Sequence, residues 1–309
     1  MKKSALSISA AALLAFQILL VVTGGLVRLT GSGLGCPTWP KCTLDSYRPC
    51  SSDLQLHAWI EFGNRLLTFA LFAAAMTTLY FVYRIHKKGW SDLKLLAWLQ
   101  VGGILGQGVL GGITVLTKLN PASVASHLLL SMLLISGATT LHLKSKYSES
   151  LSESLLEESK ENSTLGDSDK VDKVDKVHKV MAKILATFAF LTLIAGTIVT
   201  GSGPHAGDWQ APRFNIAITL AAKCHGALVA ITLLITLYIA IKLPRSEANW
   251  LLVAIIGQGL IGLIQWWQGL PQALVGAHLL GAALFWFATW RTRLSFKYEY
   301  LKTLSSKGQ

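Results

Sequence analysis

The sequence predicts an all-α integral membrane protein: eight transmembrane helices arranged as two parallel-repeat four-helix bundles, with both termini in the cytoplasm. Three observations carry this. The 309 residues are 52% hydrophobic and 14% charged, with a mean hydropathy of +0.48, where a soluble domain carries about 25% charged residues. Eight apolar runs approach the roughly 20 residues that cross a bilayer. The chain also repeats itself on either side of an acidic middle segment.

The expected spans are 9–28, 58–83, 95–116, 124–142, 182–200, 217–241, 249–268 and 273–290. The first follows MKK, as a secretory leader would. Its length of about twenty residues and its lack of a small-residue cleavage site in context mark a retained helix. Topology follows from the cations. The stretches 1–8, 84–94, 143–183, 242–248 and 291–309 hold 21 of the 28 Lys and Arg residues, and the positive-inside rule places them in the cytoplasm. The formal charge of +12 is then a matter of topology and anionic lipid, and calls for no nucleic acid.

Cys36, Cys42 and Cys50 fall together in the first external loop, on the oxidising side of a cell membrane. The run CPTWPKC suits a Cys36–Cys42 bridge, with Cys42–Cys50 and Cys36–Cys50 as the other pairings. Cys224 lies in an apolar run and reads as a small hydrophobe.

Three domains are expected: an N-terminal bundle over 1–143, a cytoplasmic linker over 144–181 and a C-terminal bundle with a short basic tail over 182–309. The linker contains SESLSESLLEESKENS and KVDKVDKVHK and is too polar to build a core. Around it, residues 103–134 match 254–285 at a constant offset of 151. The match pairs Gly106 with Gly257, Gln107 with Gln258, Gly108 with Gly259, Gly111 with Gly262 and His127 with His278. Thr30-Gly31-Ser32-Gly33 recurs as Thr200-Gly201-Ser202-Gly203. Four helices precede the linker and four follow in the same order of sides, so the repeat is parallel. The paired glycines are expected to let the third helix of each bundle pack closely on its neighbours.

Four of the eight histidines, His57, His127, His225 and His278, sit near the external ends of spans. Coordinating residues inside a membrane are functional by default. His225 and His278 lie on the second and fourth helices of the second bundle, the arrangement that holds a haem iron from both sides. Zinc calls for four close ligands, and no Cys/His set has that spacing. In the first bundle His127 repeats His278, but Asn64 takes the place opposite His225. Glu61 is the one acidic residue in the eight spans, and His57, Glu61 and Asn64 share a helical face. Arg65, four residues on, offers Glu61 an ion pair. Arg28, Arg65 and Arg213 lie near the external face, placed either to anchor the helix ends or to bind haem propionates.

These residues resemble a known family. GGLVRLTGSGLGCPTWPKC, IEFGNRLLT and NPASVASHLLLS are similar to bacterial haem A synthase, and the resemblance covers all eight helices. It implies a haem b cofactor held by His225 and His278 in the C-terminal bundle and a haem O substrate in the N-terminal one. The C8 methyl of haem O is oxidised to a formyl group, giving haem A for terminal oxidases. Glu61 matches the family's catalytic glutamate, with His57, Asn64 and His127 around it. Cys36 and Cys42 match its external cysteine pair. The resemblance also implies a prokaryotic cell membrane as location, and haem O synthase and an electron donor as partners. One departure stands out. Better-known members carry E-x-x-H-R where this chain has Glu61-Phe62-Gly63-Asn64-Arg65. His57 lies seven residues, about 10 Å, up the helix and could take the same axial place only with a large shift; an iron held by His127 alone, with one face open, is the alternative. The rival reading is a dihaem b-type cytochrome passing electrons from quinol, which would want a second histidine pair. A transporter of parallel repeats would account for Glu61 but not for four histidines at one depth.

Overall fold

The computed structural model describes residues 5–49, 55–84, 91–158, 168–205, 207–208, 210–243 and 246–307. Among them run eight helices: α1 (Ala5–Leu29), α2 (Gln55–Arg84), α3 (Ser91–Leu116), α4 (Pro121–Glu158), α5 (Ser168–Ser202), α6 (Ile218–Lys242), α7 (Ser246–Trp267) and α8 (Gln272–Lys307). All eight are long and apolar enough to cross a membrane, and each coincides with one expected span. The helices outrun the apolar runs because the backbone ladder continues past the last apolar residue. At the acidic linker, α4 runs on to Glu158 and α5 begins at Ser168. Cys50 lies outside the described residues.

Helices α1 to α4 pack in a ring, α1 on α2, α2 on α3, α3 on α4 and α4 on α1, and α5 to α8 form a second ring in the same way. The rings join through α4 and α1 on α8 and through α4 on α5. Trp286 of α8 is the anchor of this seam. Its side chain is 2% exposed and donates Nε1–H to the Met132 carbonyl at 2.6 Å and to Ser136 Oγ at 2.9 Å. One turn on, Trp290 donates to Thr140 Oγ1 at 2.8 Å. A large apolar body with one satisfied polar atom is what a buried tryptophan needs. A single apolar core runs through both rings. Outside it, Phe69, Trp250, Leu263 and Trp267 are exposed, as side chains facing lipid are.

The helix ends that frame the site are set locally. α1 closes with Gly31 in the left-handed region (φ 69°). The Ser32 N–H reaches the Val27 carbonyl and the Gly31 N–H reaches that of Arg28, the Schellman pattern that glycine favours. The α3–α4 turn bonds Lys118 N to Val115 O and Leu119 N to Thr114 O. The α7–α8 turn bonds Gly269 N to Trp266 O and Leu270 N to Gln265 O, the same pattern 151 residues on. Lys118, Leu119, Gly269 and Leu270 are all left-handed. Leu119 is held there by burial against Ala211, Leu34 and Val124. Asn120 Oδ1 then accepts the Ala122 N–H at 2.9 Å and Pro121 opens α4, the N-cap and first-turn chemistry that starts a helix.

Candidate haem sites and the loop above them

The loop after α1 carries a Cys36–Cys42 disulfide, one of the three pairings the sequence allows. Both cysteines are fully buried. The loop is clamped to the head of α2. Glu61 Oε2 accepts the Cys36 N–H at 2.7 Å, and Glu61 Oε1 accepts Arg65 Nε at 3.1 Å and Nη2 at 2.5 Å. Arg65 extends the clamp to the carbonyls of Cys36 (3.0 Å), Thr38 (3.2 Å) and Lys41 (3.3 Å). A carboxylate that is 5% exposed needs such partners, because an unpaired buried charge is costly. Gly35 lets the loop lie flat on α2: a Cβ there would stand 2.5 Å from the His57 carbonyl oxygen.

The face shared by His57, Glu61 and Asn64 is turned towards α1 and this loop. His57 Nδ1 is hydrogen-bonded to Ser32 Oγ at 2.8 Å. Asn64 Oδ1 accepts from Thr23 Oγ1 of α1 at 2.7 Å. Ser32 in turn meets Thr30 Oγ1 at 2.8 Å. His57, Glu61 and Asn64 thus each tie α2 by a polar bond to α1 or the loop after it.

In the second ring the structure brings His225 and His278 together, with ring centres 6.5 Å apart and planes at 77°. Two imidazoles binding one metal ion from opposite sides through bonds of about 2 Å put their ring centres roughly 6 Å apart. His225 Nδ1 meets the Thr192 carbonyl of α5 at 3.0 Å. A carbonyl only accepts, so Nδ1 carries the proton and Nε2 keeps its lone pair for a metal. Each ring backs onto a glycine: a Cβ at Gly196 would lie 3.3 Å from His225 Cε1, and one at Gly262 would lie 3.4 Å from His278 Cε1. Among the described residues no three His, Cys, Asp or Glu side chains gather. The pair therefore offers two imidazoles at a spacing that suits the axial positions of a haem. In the first ring His127 backs onto Gly111 in the same way, at 3.5 Å.

One expectation needs correction. A Cβ at Gly106, Gly108, Gly257 or Gly259 would meet nothing within 4 Å, so these glycines face open space instead of a tightly packed neighbour. Of the paired glycines, only Gly111 and Gly262 make the close approach, and they make it to histidine rings. The guanidinium groups of Arg28 and Arg213 are turned to backbone carbonyls. Arg28 donates to those of His205 (2.6 Å) and Thr200 (3.0 Å), tying α1 to the loop after α5. Arg213 donates to Gly203 (2.8 Å), Pro204 (3.0 Å) and Ala211.

Sequence reasoning missed Thr192, Thr23 and Ser32. Thr192 acts through its backbone carbonyl, which leaves no signal in residue type. Thr23 and Ser32 are ordinary hydroxyls whose partners lie 41 and 25 residues away.

A family model for cytochrome oxidase assembly proteins (COX15-CtaA) matches residues 8–207, more than half of the chain. His225 and His278 lie beyond the matched stretch. "Heme A synthase" of Lysinibacillus sphaericus is 32% identical over 125 residues, 38% of this chain and 38% of that protein. "Heme A synthase" of Geobacillus thermodenitrificans is 31% identical over 111 residues, 34% and 32% of the two chains. That of Shewanella oneidensis is 31% identical over 147 residues, 43% of each. The matched stretch thus spans under half of each of these relatives. With eight apolar helices of membrane-crossing length and bacterial relatives, the protein is a multi-pass membrane protein of the cell membrane. On the match over residues 8–207, the chain belongs to the COX15-CtaA family of cytochrome oxidase assembly proteins.

Proposed function

We propose that the protein is a haem A synthase, oxidising the C8 methyl of haem O to the formyl group of haem A. The observation that carries this, beyond family membership, is the His225–His278 pair with its 6.5 Å ring spacing. The pair supplies a resident haem site, next to an N-terminal bundle that has Asn64 in place of a histidine opposite His127.

The C-terminal bundle is the cofactor half and the N-terminal bundle the substrate half. His225 and His278 would hold haem b, which would supply one-electron redox chemistry. Thr192 holds the His225 tautomer, and Gly196 and Gly262 admit the two rings. In the first bundle His127 binds the substrate porphyrin between α2 and α4. Among the described residues Glu61 is the one buried carboxylic acid, and it exchanges protons during the two successive hydroxylation-level steps and the loss of water that turn methyl into formyl. The Arg65 and Cys36 bonds hold it in place. The charge distribution supports cytoplasmic termini, with the disulfide loop on the opposite, oxidising side.

A pyridine haemochrome assay of pigments extracted from the purified protein tests the reading. Haems O and A alongside haem b are expected. A preparation that yields haem b alone, in cells supplied with haem O, contradicts it.

A further inference from the structure

The Cys36–Cys42 loop meets two helices of the first ring in different ways. On α2 it is hydrogen-bonded: Arg65 donates to the carbonyls of Cys36, Thr38 and Lys41, and Glu61 accepts the Cys36 N–H. The loop is also closed on itself, by the disulfide and by the bond from Thr38 Oγ1 to the Lys41 carbonyl at 2.8 Å. On α3 it is packed. The indole of Trp39, at the middle of the loop, lies on the backbone of Gly112: a Cβ there would stand 2.5 Å from Trp39 Cδ2 and 2.8 Å from Cε2. Among the described residues no hydrogen bond holds this ring. It bridges the loop from α2 to α3 and is 41% exposed.

Gly112 stands next to Gly111, where a Cβ would lie 3.5 Å from the His127 ring. The Trp39 contact is therefore one residue along α3 from the glycine that backs His127. One turn deeper on the face of Gly112, a Cβ at Gly108 would meet nothing within 4 Å, so the indole sits at the outer end of an open space along α3. The second half has no such cover. The repeat partner of Gly112 is Leu263, 151 residues on, and Leu263 is 71% exposed. The half read above as holding a resident cofactor carries an outward leucine there. The half read as taking in a substrate carries a bare backbone with an aromatic ring laid on it.

We propose that Trp39 is a gate between α2 and α3 for the porphyrin that binds at His127, and that Gly112 is the seat on which it closes. The proposal rests on the substrate-half reading above. The contacts suit a gate. A loop braced by a disulfide and by charge-assisted bonds keeps its place. An aromatic side chain resting on a glycine can turn away about its own χ angles without breaking a hydrogen bond. Closed, the ring buries apolar area against α3 and keeps water from the space beneath it. Open, it frees a passage into the first ring from the lipid phase, where a large apolar porphyrin partitions.

The test is the rate at which haem leaves the first ring. Full-length protein is purified from cells that supply haem O, placed in lipid nanodiscs and mixed with excess apomyoglobin. Transfer is followed by absorbance, and the haems that remain are resolved by chromatography. Trp39→Ala removes the ring, and Gly112→Leu pushes it off its seat. Each is expected to release haems O and A at least about tenfold faster than wild type while keeping haem b. The double variant is expected to be no faster than the faster single, since both break one contact; accelerations that multiply overturn the seat at Gly112. Wild-type release rates in both single variants overturn the gate. If Trp39→Ala fails to accumulate, an unchanged rate in Gly112→Leu alone does so. Wild-type protein that carries haem b but takes up no haem O sinks the substrate-half reading itself. Uptake of haem O with unmoved release in the variants sinks only the gate.

Discussion

The carboxylate of Glu61 accepts the backbone N–H of Cys36 at 2.7 Å, so a residue inside a membrane-crossing helix is bonded directly to one end of the disulfide above it. With Arg65 as its second partner, Glu61 braces the loop, a duty separable from the proton exchange proposed for it. Glu61→Gln separates them. The amide still accepts the Cys36 N–H but no longer carries a titrating carboxyl group. The variant is expected to fold and bind haem b while haem A formation falls by about 10²–10⁴-fold, the range for a lost acid–base group. Haem A at wild-type levels would show that Glu61 is a brace alone.

Arg65→Ala removes the clamp instead. It leaves Glu61 buried without its cation and three loop bonds unmade. Local opening of the loop exposes a disulfide that is otherwise fully buried. Reduction of Cys36–Cys42 by dithiothreitol, followed by maleimide labelling, is expected to be at least about tenfold faster than in wild type, for a loss of roughly 1.4 kcal/mol or more in opening energy. An unchanged labelling rate would show that the loop is held by other contacts.

Asn64 occupies the place where the second half has His225, and its amide is engaged by Thr23. A substrate iron held through His127 alone keeps one face open. Ferrous protein loaded with haem O is expected to bind carbon monoxide at that site. Asn64→His should supply the missing imidazole, give a low-spin six-coordinate spectrum and abolish most of the carbon monoxide shift. Absence of any shift in wild type would point to a second ligand already in place.

Gly262 and Gly257 lie on one helix and differ in what they face. Gly262 backs the His278 ring at 3.4 Å, while nothing lies within 4 Å of a Cβ at Gly257. Gly262→Val is expected to displace the ring and deplete haem b in the purified protein. Gly257→Ala is expected to retain it. Equal haem content in the two variants would disconnect Gly262 from the site.

Trp286 joins the two rings of helices. Trp286→Ala should cost about 3–5 kcal/mol. Trp286→Phe keeps the apolar body, loses the indole bonds and should cost about 1–3 kcal/mol. Thermal unfolding in detergent is expected to rank them in that order below wild type. Equal melting temperatures would mean that the seam is carried elsewhere.

The helices were legible because each is an apolar run bounded by loops or charge. The repeat also pointed to His127 and His278, since a coordinating residue kept twice at one depth is hard to read as packing. What was not legible depends on orientation. Gly106 and Gly111 look alike in the sequence, yet one faces open space and the other a histidine ring, because five residues of helix turn them to different sides. Arg28 and Arg213 read as anchors or propionate ligands, and the carbonyls at loop ends that take their donors are acceptors that every residue carries, invisible in the sequence. Thr192 contributes through the same kind of atom.

The central claim is that the protein turns haem O into haem A. It is tested most directly by co-expressing the chain with an enzyme that makes haem O, in cells that lack haem A, and resolving the extracted haems by chromatography and mass spectrometry. The account predicts a haem A peak carrying the methyl-to-formyl mass change in wild type, and haem O without haem A in Glu61→Gln. Haem O and haem b without haem A in the wild-type extract, from protein that carries its full haem b spectrum, would contradict it.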